Sequence, residues 1–191
     1  MSYRLSILSL LLLVLSACAH QTSAPTPVSN YVGIATEPLP ASAAPEYMAH
    51  EFRALNKALS DYSANKGWQV TQTADGTIRL ETASAFAFDA DSAELRASAL
   101  DACAKFAQAA KAYSQTVIHI AATGRDTSML NYRQSLADRR AAALAVYLDG
   151  QGLDDTRLRY EGVATSKASS LVILIKPIVA GAEPQAWMSP S

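Results

Sequence analysis

Phe86-Ala87-Phe88-Asp89-Ala90-Asp91-Ser92-Ala93-Glu94-Leu95 stands where short alternating segments give way to a long amphipathic helix. From Leu95 onward the apolar residues Ala99, Cys103, Phe106 and Ala110 recur at steps of three and four. That is the period of a helix burying one face, and it predicts a helix from about Ser92 to Tyr113. Asp91 or Ser92 is the expected cap, and Asp89 and Asp91 fall where the helix dipole favours anions. Toward the C-terminus, Thr116-Val117-Ile118-His119-Ile120-Ala121 is rich in branched residues and reads as a strand. A helix from about Met129 to Leu148 follows, closed by Gly150-Gln151-Gly152. Leu158-Arg159-Tyr160 and Leu171-Val172-Ile173-Leu174-Ile175 read as further strands, the second apolar enough to be central. Toward the N-terminus, Trp68-Gln69-Val70-Thr71 and Thr77-Ile78-Arg79-Leu80-Glu81 flank Asp75-Gly76 as a β-hairpin. Before it, Met48, Phe52, Leu55, Leu59 and Tyr62 line one face of a helix over about Glu46 to Asn65, with Gly67 as its stop. The order helix, β, β, helix, β, helix, β, β predicts an α+β sandwich with helices packed on a mixed sheet.

The ends of the chain carry a different signal. Arg4 precedes the apolar run Ile7 to Leu15, which is about half the roughly 20 residues a bilayer crossing needs, so residues 1–17 read as a secretory signal peptide. Leu15-Ser16-Ala17-Cys18 resembles the bacterial lipobox. The resemblance implies that Cys18 is the lipidated mature N-terminus, and several acyl chains make a lasting anchor where one alone is marginal. With Ala19 rather than aspartate after it, the expected destination is the periplasmic face of the outer membrane. Residues 18–45, rich in Ala, Ser, Thr and Pro, read as a tether without a core of its own. Stretched out, it reaches roughly 90 Å at about 3.3 Å per residue. Residues 46–76 form an N-terminal helix and strand extension, 77–178 the main domain, and 179–191, with Pro184, Trp187 and Pro190, a flexible tail.

Removal of the signal peptide takes away Arg4 alone among charged residues, leaving 15 basic against 17 acidic, a net charge of −2. That balance gives no electrostatic reason for nucleic acid as a partner. His20, His50 and His119 are too scattered to define a zinc set or a nucleophile and base pair, and no phosphate-binding glycine loop or Gly-x-Ser-x-Gly elbow is present. The sequence thus reads as a binding module with no catalytic residues, no metal and no cofactor. With Cys18 taken by lipid, Cys103 stands alone on the inward stripe of its helix and reads as a buried small hydrophobe.

Three stretches together resemble the OmpA-like C-terminal domain family. They are the opening segment Phe86 to Leu95, the helix Tyr132-Arg133-Gln134-Ser135-Leu136-Ala137-Asp138-Arg139-Arg140-Ala141, and Tyr147-Leu148 followed by Gly152 and Arg157-Leu158-Arg159-Tyr160-Glu161-Gly162. The resemblance covers about residues 77 to 177 in order and spacing. It implies a β-α-β-α-β-β domain that binds the peptide stem of peptidoglycan without catalysis. In such domains a loop aspartate pairs with the ammonium of diaminopimelate and a helix arginine holds its carboxylate by parallel hydrogen bonds. Arg140 occupies the arginine's place. An ungapped match puts Arg125 in the aspartate's position, with Asp126 one residue later, and Arg133 stands where the family has asparagine. The resemblance therefore implies Arg140 for the carboxylate and Asp126 for the ammonium, with Arg125 and Arg133 as altered positions. Two functions stay open: tethering of the outer membrane to peptidoglycan, or docking on a protein partner of an envelope or secretion complex.

Overall fold

The computed structural model describes residues 36–63, 67–124, 130–164 and 169–182. Helix α1 (Ala44–Ala58) and the single turn α2 (Ser60–Ser63) lead into strands β1 (Gln69–Gln72) and β2 (Ile78–Ala83). After the short α3 (Ser84–Ala87) come α4 (Ala97–Ala110), β3 (Thr116–Gly124) and α5 (Leu130–Gly150). A 3₁₀ turn at Asp155–Arg157 then opens β4 (Leu158–Ala164), and β5 (Ser170–Pro177) closes the domain. The five strands form one mixed sheet in the order β1-β2-β5-β3-β4, in which only β3 and β4 run parallel. This is the expected α+β arrangement, with the apolar β5 at the centre because it is covered on both edges.

One face of the sheet carries the core. Ile78 and Leu80 of β2, Ile118, Ile120 and Ala122 of β3, and Leu171, Ile173 and Ile175 of β5 join Ala99, Cys103 and Phe106 of α4 and Ala141, Leu144 and Leu148 of α5 in one cluster. Alternate positions along each strand supply it, as the two-residue period requires. The N-terminal extension belongs to the same core, because Met48, Leu55, Leu59, Tyr62 and Trp68 are members of it. The hydroxyl of Tyr62 donates to Asp101 and pins α2 to α4. As expected, Gly76 turns the hairpin in the left-handed region (φ 83°), and Gly152 (φ 85°) follows the end of α5. No helix among the described residues is long and apolar enough to cross a membrane.

Three expectations need correction. The helix expected from Ser92 begins at Ala97, and neither Asp91 nor Ser92 caps it. Instead Phe88 and Leu95 form a bridge, the Arg96 amide donates to the Ala87 carbonyl at 2.9 Å, and Asp91 turns the intervening loop with φ 51°. The helix expected over Glu46 to Asn65 breaks at Leu59 into α1 and α2. The third concerns the tether: residues 36–43 lie against the domain rather than apart from it. Leu39 is buried, its amide donates to the Ile178 carbonyl at 2.7 Å, and its carbonyl accepts from the Ala180 amide at 2.9 Å. The beginning of the expected tail, at Val179, is the other half of that clamp.

Cys103 is buried in α4, and desolvation pushes its thiol up to about 12. A thiolate is the reactive form, so burial silences it. In a chain with Cys18 replaced by serine, the folded protein is expected to leave a thiol-reactive disulfide reagent unconsumed over minutes and to react fully in denaturant. Rapid labelling of the folded form overturns the assignment.

Candidate functional site

β2 ends at Ala83, β3 ends at Gly124 and β5 begins at Ser170, so these three ends share one edge of the domain. The segment after α3 and the first half of α5 meet there. Leu136, Ala137, Arg140, Ala141 and Leu144 place one face of α5 inward, and this is what carries an arginine into the interior. Arg140 is 1% exposed. Its Nε donates to the Ser92 carbonyl at 2.8 Å and its Nη2 to the Asp89 carbonyl at 3.3 Å. The guanidinium carbon lies 5.1 Å from the centre of the Phe88 ring, within reach of a cation–π attraction.

The loop that receives Arg140 is itself braced. Arg96 Nε donates to Asp89 Oδ1 at 2.9 Å, and Arg96 Nη1 donates to the Ala85 carbonyl at 2.6 Å. The Ser92 hydroxyl accepts the Glu94 amide at 2.9 Å. Across the same edge, the Thr123 hydroxyl accepts the Ser170 amide at 2.6 Å and ties the end of β3 to the start of β5. Thr82 and Ser84 bury their hydroxyls at this edge with no hydrogen-bond partner among the described residues. Beside Arg140, Gln134 Nε2 donates to Asp138 Oδ1 at 2.9 Å and to the Gly162 carbonyl at 2.8 Å, locking α5 onto β4.

The structure thus brings Arg140 together with the Phe88 to Ser92 segment, which the sequence marked for a different role. Arg133 is half-buried, two helical turns before Arg140 on the same face. Arg125, Asp126 and Cys18 lie outside the described residues. Asp89 and Arg96 form the ion pair that positions the loop, in place of the dipole role expected of Asp89. Motif spacing supplied Asp89, but its partner Arg96 lies inside the stretch expected to be helical, where the apolar period says nothing about what a charged residue pairs with.

Away from this edge, one strand histidine is structural. His119 is buried, and desolvation with Lys176 nearby pushes its imidazole down to about 4. It is therefore neutral at physiological pH, and its 3.5 Å approach to Glu161 is not an ion pair there. Among the described residues no group of three His, Cys, Asp or Glu side chains is placed to hold a metal ion.

No family model matches the chain. No curated protein matches it either. Among solved structures it is similar to a MotB-like protein from Desulfovibrio vulgaris, at 14% identity over 74% of this chain and 96% of that one, with a TM-score of 0.59. It is similar to the periplasmic domain of Helicobacter pylori MotB, residues 90–256, at 15% identity over 62% and 85% of the two chains, with a TM-score of 0.54. The cell wall anchor of the T6SS from Pseudomonas aeruginosa is likewise similar, at 16% identity over 64% and 96%, with a TM-score of 0.53. At these identities the likeness speaks for the fold, which is the OmpA-like one expected from the sequence.

Proposed function

We propose that this protein is a non-catalytic lipoprotein of the cell envelope whose OmpA-like domain holds the peptide stem of peptidoglycan. Lipid on Cys18 anchors it to the periplasmic face of the outer membrane. The observation that carries this reading is the placement of its two ends. The chain enters the domain at Leu39, clamped beside Ile178, whose amide donates to Gln115 just ahead of β3. The Arg140 edge lies at the far end of β3, eight residues along, or about 26 Å at about 3.3 Å per residue. A pull between membrane and wall would therefore run along the strands. Arg140 supplies the carboxylate-holding cation of this reading and Asp126 the ammonium-holding anion, while two of the structural relatives are named as a cell wall anchor and a periplasmic domain.

The test uses the mature chain from residue 18 with Cys18 replaced by serine, since a cut at residue 45 would remove Leu39 and Ala44. It is expected to sediment with purified sacculi at low salt and to be displaced by free diaminopimelate. A folded protein that stays in the supernatant overturns the tethering role. One observation favours a second reading. Arg140 of α5 donates to carbonyls of the Phe88 to Ser92 loop, and the ungapped match puts Arg125 in the aspartate's position, which favours docking of a protein of an envelope complex at this edge. Crosslinking in cells to one defined protein, with no sacculus binding, selects that reading.

A further inference from the structure

Glu51 is a carboxylic acid in the wrong place for a charge. It lies on the buried face of α1, three residues after Met48 and four before Leu55, and is 0% exposed. Its Oε1 is 3.5 Å from the Thr116 hydroxyl, a marginal hydrogen bond, and its Oε2 is buried with no partner among the described residues. The groups facing it come from three places. Tyr47 is on α1 with Tyr113 against its ring, Thr116 opens β3, and Arg157 precedes β4 with Asp154 behind it. Tyr47 accepts the Gln115 amide at 3.1 Å, and its ring meets that of Tyr113 edge-on at 5.5 Å. Arg157, the basic residue of this set, is committed elsewhere. Its Nε donates to the Thr116 carbonyl at 2.8 Å, and its Nη2 to the Tyr113 carbonyl at 2.7 Å and the Thr116 hydroxyl at 2.9 Å. No ion pair with Glu51 is present among the described residues.

We propose that Glu51 is a proton-operated latch: α1 is held on the domain while this carboxyl is neutral and loosens when it ionises. Burial costs the charged form more than the attraction of Arg157 and the Thr116 hydroxyl returns, which raises the docked group from 4.5 to about 8. An undocked, solvated Glu51 titrates at its ordinary value. Between those two values the docked form holds a proton that the undocked form lacks, so rising pH favours undocking, by up to about tenfold per pH unit. Outside that window the opening constant is flat. The position of α1 gives the latch its use, because α1 joins the tether to the domain. Its fifteen residues span about 22 Å as a helix and roughly 50 Å when extended. That extra length reaches the tether when the Leu39 clamp beside Ile178, which lies ahead of α1, lets go together with the helix, whatever the far edge binds.

Amide hydrogen exchange of α1 in the Cys18→Ser chain, corrected for intrinsic exchange at each pH, reads the opening constant directly. It is expected to rise at least about a hundredfold between pH 5 and pH 8, with α5 amides unmoved and with Glu51→Gln showing no such rise. A flat response in the unchanged chain, an equal rise in Glu51→Gln, or a parallel rise in α5 overturns the latch. Should Glu51→Gln not fold, NMR titration of the Glu51 carboxyl in the unchanged chain decides: a midpoint above about 6 supports the proposal and one at or below it overturns it.

Discussion

Gly162→Ala is expected to cost the domain about 3 kcal/mol or more, lowering its melting temperature by roughly 6–12 °C. A Cβ at this position would lie 2.2 Å from the Asp138 amide nitrogen, 2.4 Å from Asp138 Oδ1 and 2.5 Å from the Ala137 carbonyl carbon. Two of those three neighbours are backbone of α5, so no side-chain rotation relieves the clash. The helix would have to lift from β4, taking Leu136, Ala137, Ala141 and Leu144 out of close packing and breaking the bond from Gln134 to the Gly162 carbonyl. Gly150→Ala serves as the control, because it has open space around its would-be Cβ and lies at the helix end. Thermal and urea unfolding of both variants check the expectation. A Gly162→Ala melting temperature within about 2 °C of the parent would show that α5 tolerates the lift and that the close approach is not a packing requirement.

Gly162 also shows what the sequence made legible. It sits in one of the three stretches that resembled the OmpA-like family, and its structural reason, a helix crossing a strand without room for a side chain, emerges only from the packing. Strands and helices with a clean period were readable, because burial of one face writes itself into every second or every third and fourth residue. Features that depend on a distant partner were not. Leu39 is a lone apolar residue among prolines, and its pairing with Val179, 140 positions away, is what holds it to the domain. Asp91 and Ser92 have good capping chemistry and so point to an earlier start of α4, yet the Phe88 to Leu95 bridge and the Arg96 to Asp89 pair close that segment into a non-helical loop. Glu51 did leave a trace. It occupies the apolar stripe of its helix, and a charge on such a stripe is the mark of either a partner or an altered protonation state.

Arg140→Ala is expected to have two separable effects, and the candidate site depends on separating them. The first is structural. Truncation strips hydrogen bonds from the Ser92 and Asp89 carbonyls, empties the space filled by the arginine stem and removes the cation from the Phe88 ring. The Asp89 carbonyl keeps the Ser92 amide at 3.2 Å, but a Ser92 carbonyl left unsatisfied costs about 1–3 kcal/mol, and the lost cation–π contact about 0.5–2 kcal/mol, so a total near 3 kcal/mol follows. The second is loss of sacculus binding, which the ligand role of Arg140 requires. Sedimentation alone confounds the two, because a loosened loop could release the wall without any guanidinium touching it. Binding must therefore be measured at a temperature where urea unfolding shows the variant to be almost wholly folded. Arg140→Lys sharpens the comparison: it keeps the charge and most of the stem but cannot reproduce a planar fork to two acceptors. If the ligand reading holds, folded Arg140→Ala stays in the supernatant and the lysine variant binds weakly. If folded Arg140→Ala sediments like the parent, the arginine serves only to brace the Phe88 to Ser92 loop, and the wall contact must be sought on other groups of the same edge.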